Sequence, residues 1–182
     1  YMAGEMGHSM IVSPEICIEG EFRIAADGTW YHENAPIERV ALVRLFATLL
    51  VRDAEGAYWL QTPAEKIHVA VADAPFLAVE LSARGHGENP HLRLKTNMER
   101  WITLGDGHPL MMRGTEAAPR PYVALGGGLE AKLARAVYYQ LADLALIGTG
   151  AHEGDPEVPG VWSQGRFFPL VPQPPAPPEA MP

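Results

Sequence analysis

The stretch E-K-I-H-V-A-V-A-D-A-P-F-L-A-V-E-L, residues 65–81, decides the fold. Ile67, Val69 and Val71 alternate with His68 and Ala70, the period of two that a half-buried strand requires. Asp73-Ala74-Pro75 interrupts that pattern, and residues 76–81 resume it. Toward the C-terminus the same signal recurs over 91–96, 101–104, 110–113 and 122–125. Gly85-His86-Gly87, Gly105-Asp106-Gly107 and Arg120-Pro121 supply turns between these segments. Short strands joined by short turns predict an antiparallel meander that curls.

Toward the N-terminus the period changes. In P-I-E-R-V-A-L-V-R-L-F-A-T-L-L, residues 36–50, Ile37, Val40, Ala41, Leu45, Phe46 and Leu49 recur at helical spacing. Pro36 suits a first helical turn, and Leu42, Val43 and Leu50 widen the apolar arc. The pattern predicts a central core helix over 37–50 with little surface left for water. Residues 17–24 and 29–32 read as strands around an Asp27-Gly28 hairpin turn, and 57–61 as a further strand. A second helix is expected over 131–147, ended by Gly148 and Gly150, with a last strand over 166–170.

An internal echo links the two helices. Arg39-x-x-Leu42-Val43-x-Leu45 resembles Arg135-x-x-Tyr138-Tyr139-x-Leu141, and Gly56-x-Tyr58-Trp59 resembles Gly165-x-Phe167-Phe168. The expected architecture is α+β in two related units, 15–66 and 67–171. A lead-in over 1–14 and a Pro-rich tail over 172–182 flank them.

Composition narrows function by exclusion. Fourteen Lys plus Arg against 22 Asp plus Glu leaves a net charge of −8, which argues against a nucleic-acid partner. No apolar run approaches the ~18 residues of a membrane span, and the opening residues lack a basic leader. Cys17 is the only cysteine, flanked by Ile16 and Ile18 as a small buried hydrophobe would be. These features predict a cytoplasmic chain with no membrane partner; they leave its oligomeric state open.

Chemical motifs are sparse. Gly126-Gly127-Gly128-Leu129-Glu130-Ala131 formally fits the dinucleotide pattern, yet no parallel βαβ rhythm precedes it, so a turn is expected. The seven histidines show no H-x-H or H-E-x-x-H spacing, and no serine lies in a G-x-S-x-G elbow. No catalytic residue, metal ligand or cofactor is assigned on this basis.

Longer motifs carry a resemblance. They are D-G-T-W-Y-H (27–32), P-I-E-R-V-A-L-V-R-L-F (36–46), W-L-Q-T-P-A-E-K (59–66), D-A-P-F (73–76), T-N (96–97), H-P-L (108–110), P-Y-V (121–123), G-L-E-A (128–131) and W-S-Q-G-R-F-F (162–168). In this order and spacing the chain resembles the bacterial family catalogued as domain of unknown function 1285. After Thr96-Asn97 it reads M-E-R-W, where the family tends to turn with Gly-Asp. The resemblance implies two related α+β units, the later one pleckstrin-homology-like. It also implies a small, nucleotide-like ligand at their interface and a part in signalling, without an established activity.

A ligand site between the units would need cations to outweigh the overall negative charge. Arg39 and Arg135, equivalent in the echo, could form a fork for an anionic ligand, joined by Arg166. Tyr138, Tyr139 and Phe168 could stack on a planar ring, and Thr62 and Glu65 could contact the ligand or simply cap a turn. A binding or signalling module is the leading expectation, with a small enzyme assembled across the units as the alternative.

Overall fold

Alternation and turn chemistry build both halves of the chain in the same way. The computed structural model describes residues 20–85, 90–148 and 158–172. The first unit holds β1 (Phe22–Ile24), β2 (Trp30–His32), β3 (Ala35–Pro36), helix α1 (Val40–Leu49), β4 (Leu50–Arg52), β5 (Tyr58–Gln61) and β6 (Lys66–Val71). The second holds β7 (Phe76–Arg84), β8 (His91–Thr96), β9 (Trp101–Thr103), β10 (Leu110–Thr115), β11 (Ala118–Gly126) and β12 (Leu129–Leu133). Helix α2 (Arg135–Gly148) and a separate hairpin, β13 (Gly160–Ser163) with β14 (Arg166–Pro169), complete it.

Strand order reveals the relation between the units. It is β3-β2-β1-β6-β5-β4 in one sheet and β10-β11-β12-β7-β8-β9 in the other. Read from opposite edges, both run third, second, first, sixth, fifth, fourth. The first and sixth strands pair in parallel, Phe22 opposite Val69 and Phe76 opposite Ala131. The α+β architecture of two related units therefore stands, but the sheets are mixed and not antiparallel throughout. Alternation in sequence marks a strand's faces and says nothing about which neighbour it takes.

The second sheet curls. Its edge strands β9 and β10 would lie about 24 Å apart if the sheet were flat. Yet the segment joining them folds into a tight turn in which Gly105 and His108 exchange backbone hydrogen bonds of 3.3 and 3.2 Å. The two edges are thereby drawn together at this end.

Several boundaries moved for identifiable reasons. Pro36 does not open the helix; it pairs with Tyr31 at the sheet edge, where a missing N–H is tolerated. Ile37 N–H still bonds Trp30 C=O at 2.8 Å, so α1 starts only after Arg39, its N-cap. At the second helix, Ala131 and Leu133 point into the core while Glu130 and Lys132 take the other face, which makes 129–133 a strand. The first sheet extends past residue 66, since β6 pairs with both β5 and β1.

Helix α1 is not the central core helix that its apolar arc suggested. Only Phe46 is fully buried, whereas Val40 is 58% and Leu45 38% exposed. The helix carries the chain between opposite edges of one sheet, so one stripe suffices to cover it. The helices also occupy different places in the shared order: α1 lies between third and fourth strands, α2 after the sixth. Arg39 and Arg135 are therefore not equivalent positions, although each helix does lead into a hairpin, β4–β5 or β13–β14.

One hydrophobic cluster spans both units. Ile24, Trp30, Leu60 and Val69 join Ala78, Leu94, Leu104, Val123 and Leu141 in it. Ser163, fully buried, donates to Leu104 C=O at 2.7 Å and accepts from Leu92 N–H at 3.0 Å, which fastens β13 to the curled sheet. Gly126, Gly127 and Gly128 all have positive φ and form the β11–β12 hairpin turn, as expected of a turn rather than a dinucleotide loop. The lead-in over 1–14, Cys17 and residues 173–182 of the tail lie outside the described residues. Among those described, no helix is long and apolar enough to cross a membrane.

Candidate functional site

Three consecutive residues of β11, Pro121, Tyr122 and Val123, are buried. Neighbours on a strand point to opposite faces, so both faces are covered here. Val123 enters the core, and Tyr122 meets groups gathered along the seam between the units. Pairing of Arg113 with Arg120 and of Tyr122 with Lys132 places these four side chains on one face, with Glu130 two residues from Lys132.

Two carboxylates organise this face. Glu130 receives both ends of the Arg113 guanidinium, each N–O distance being 2.7 Å. Asp73, from the segment joining the sheets, accepts from Tyr122 Oη at 2.6 Å and Lys132 Nζ at 2.5 Å. Arg113 also sits 4.5 Å from the Tyr122 ring centroid. From the first unit, Arg52 donates to Gly128 C=O at 3.3 Å and lies 5.4 Å from the Tyr58 ring centroid.

At these distances the groups shift one another's ionisation. Burial pushes the Tyr122 hydroxyl up to about 12, helped by its bond to Asp73 and the charge of that carboxylate. Burial also raises Tyr58, whose surroundings include the charges of Arg52, Glu130, Arg113 and Asp73. For Asp73, burial works upward, but hydrogen bonds from Lys132 and Tyr122 and the nearby cations win, leaving it below its ordinary value. The Glu130 hydrogen bonds raise Arg113. Four cations, Arg52, Arg113, Arg120 and Lys132, thus share the seam with two carboxylates, Asp73 and Glu130.

The residues singled out from sequence are distributed elsewhere. Arg39 and Arg135 are exposed at the starts of α1 and α2, and neither side chain makes an ion pair among the described residues. Tyr138 and Tyr139 are neighbours on α2 with ring centroids 6.1 Å apart, and Tyr139 is 57% exposed. Phe168 is buried in the core, while Arg166 on the same strand pairs with Asp106. Thr62 and Glu65 share the β5–β6 turn, where Thr62 Oγ1 accepts from Glu65 N–H at 2.9 Å.

Sequence reasoning assigned none of the seam residues, although a signal existed. Asp73, Tyr122 and Glu130 belong to D-A-P-F, P-Y-V and G-L-E-A. Those separate motifs converge on this seam.

The fold defines a class: a two-unit α+β chain whose like-ordered sheets meet at a charged seam. Two family models match it, the N-terminal domain of DUF1285, a domain of unknown function, over residues 11–74, and the C-terminal domain of the same family over 75–170. The chain belongs to the DUF1285 family. It is similar to a crystal structure of a DUF1285 family protein from Silicibacter pomeroyi DSS-3, at 40% identity and TM-score 0.73, over 85% of this chain and 81% of that one. A DUF1285 family protein from Shewanella baltica OS155 is also similar, at 30% identity and TM-score 0.54, over 68% of this chain and 91% of that one. No curated protein matches the chain.

Proposed function

We propose that this chain is a cytoplasmic binding module that holds a small anionic, phosphate-bearing ligand at the seam. The carrying observation is the local charge balance: four cations against two carboxylates, in a chain of net charge −8. Arg120 has no ion-pair partner among the described residues, and the Arg52 side chain bonds only carbonyl oxygens. Both therefore keep charge available for a ligand. The occupied seam would tie the first sheet to the second, which gives a signalling role a physical basis.

Thermal-shift titration tests this reading with inorganic phosphate, pyrophosphate and nucleoside phosphates, since a ligand of the native state raises the melting point. Arg52→Ala and Arg120→Ala should each weaken binding of the best probe about ten- to hundredfold, the worth of one charge-assisted contact. The reading fails if no phosphate-bearing probe shifts the melting point, or if the double variant binds as the original does.

A further inference from the structure

A half-open groove of about 500 Å3 lies on the first sheet. That volume falls within the roughly 300–1,000 Å3 of small-molecule sites. Glu21, Arg23, Asn34 and His68 supply its polar lining, and Ile67 and Ala70 part of its apolar wall. None of these residues belongs to the seam.

Alternation explains why the charges meet. Phe22 turns inward at 4% exposure, so Glu21 and Arg23, one to each side of it, share the outer face about 6.6 Å apart along the strand. Ala70 stands opposite Arg23 on β6, and its small side chain keeps that stretch of the face low. The Arg23 guanidinium lies 3.8 Å from the Tyr31 ring centroid, a contact that steadies it while leaving its N–H groups available. Glu21 and Arg23 pair neither with each other nor with any other described residue.

A cation and an anion thus face one cavity without neutralising each other. Their charges balance, so this lining does not select a net anion as the seam does. We propose that the groove binds a small zwitterion of the α-amino acid class. Arg23 takes the carboxylate, Glu21 takes the ammonium group, and the low stretch over Ala70 leaves room for the side chain.

Titrating the full chain with individual free amino acids, followed by calorimetry, tests the assignment. At least one should bind saturably, and its N-acetylated and carboxamide forms should each bind at least about tenfold more weakly. Glu21→Gln and Arg23→Gln should each produce a similar loss, and inorganic phosphate should not displace the amino acid. Glu21→Gln is isosteric and exposed, so it keeps the test intact if Arg23→Gln disturbs the contact with Tyr31. The proposal is overturned if no amino acid binds, if the blocked forms bind equally, or if Glu21→Gln changes nothing. Displacement by phosphate would place the ligand at the seam and overturn it as well.

Discussion

Asp73 joins the two sheets through one carboxylate that serves Tyr122 and Lys132 together. Its folded-state value lies below 3.8, so the unfolded chain takes up the proton more readily as the pH falls. The stability it contributes is complete above 3.8 and disappears as the pH drops through the folded value. Asp73→Asn should therefore cost about 1.5–3 kcal/mol at neutral pH, the range for hydrogen bonds to a charged group. Urea denaturation of both proteins across the acid range should show this gap closing as the pH falls. A gap that stays constant would mean the carboxylate is not held by these partners. Seam residues of this kind were hard to see in the sequence because each is an ordinary polar residue of a strand or turn. Their proximity is created by the parallel contact of β12 with β7 and by the segment around Asp73. Arg39 and Arg135 attracted notice for the opposite reason: local helical similarity is visible in sequence, while a helix's place in the strand order is not.

Strands were more legible than helix boundaries. The alternation over 66–71 and 91–96 appears as β6 and β8, and Asp27-Gly28 makes its turn with Gly28 at φ +82°. Apolar content misled at α1, because helical periodicity reports which stripe can be buried and not how many elements arrive to bury it. The β13–β14 hairpin shows how tightly one element can constrain a residue. A Cβ at Gly160 would run into the Phe167 ring and lie 2.7 Å from Phe168 C=O. Gly160→Ala should accordingly destabilise the protein by about 1–3 kcal/mol, the usual cost of overpacking. Gly107, whose Cβ would meet nothing within 4 Å, provides the control, and Gly107→Ala should cost clearly less in the same melting experiment. Equal losses in the two variants would contradict the packing argument.

Shared core residues should make the units unfold together, despite their separate sheets. Trp30 lies in the first and Trp101 in the second, so single-tryptophan variants retaining one or the other report each unit separately. Their urea midpoints should coincide, as two-state unfolding requires, whereas two resolved midpoints would show that the common cluster does not couple the halves. The sequence carried the two-unit architecture through its motifs, whereas its echo aligned helices that hold different places in the chain. The common strand order emerges only when the parallel first-to-sixth contact is seen in space. The same order bears on behaviour at high concentration. A sheet rim is a row of idle amides and carbonyls on which a stranger's backbone can crystallise, the first step toward fibres. In the first sheet that rim amounts to a two-residue strand ending in Pro36 on one side and a three-residue strand on the other. In the second, the turn at Gly105–His108 bends one rim toward its opposite. A polymerising template needs length and flatness, and these borders supply little of either.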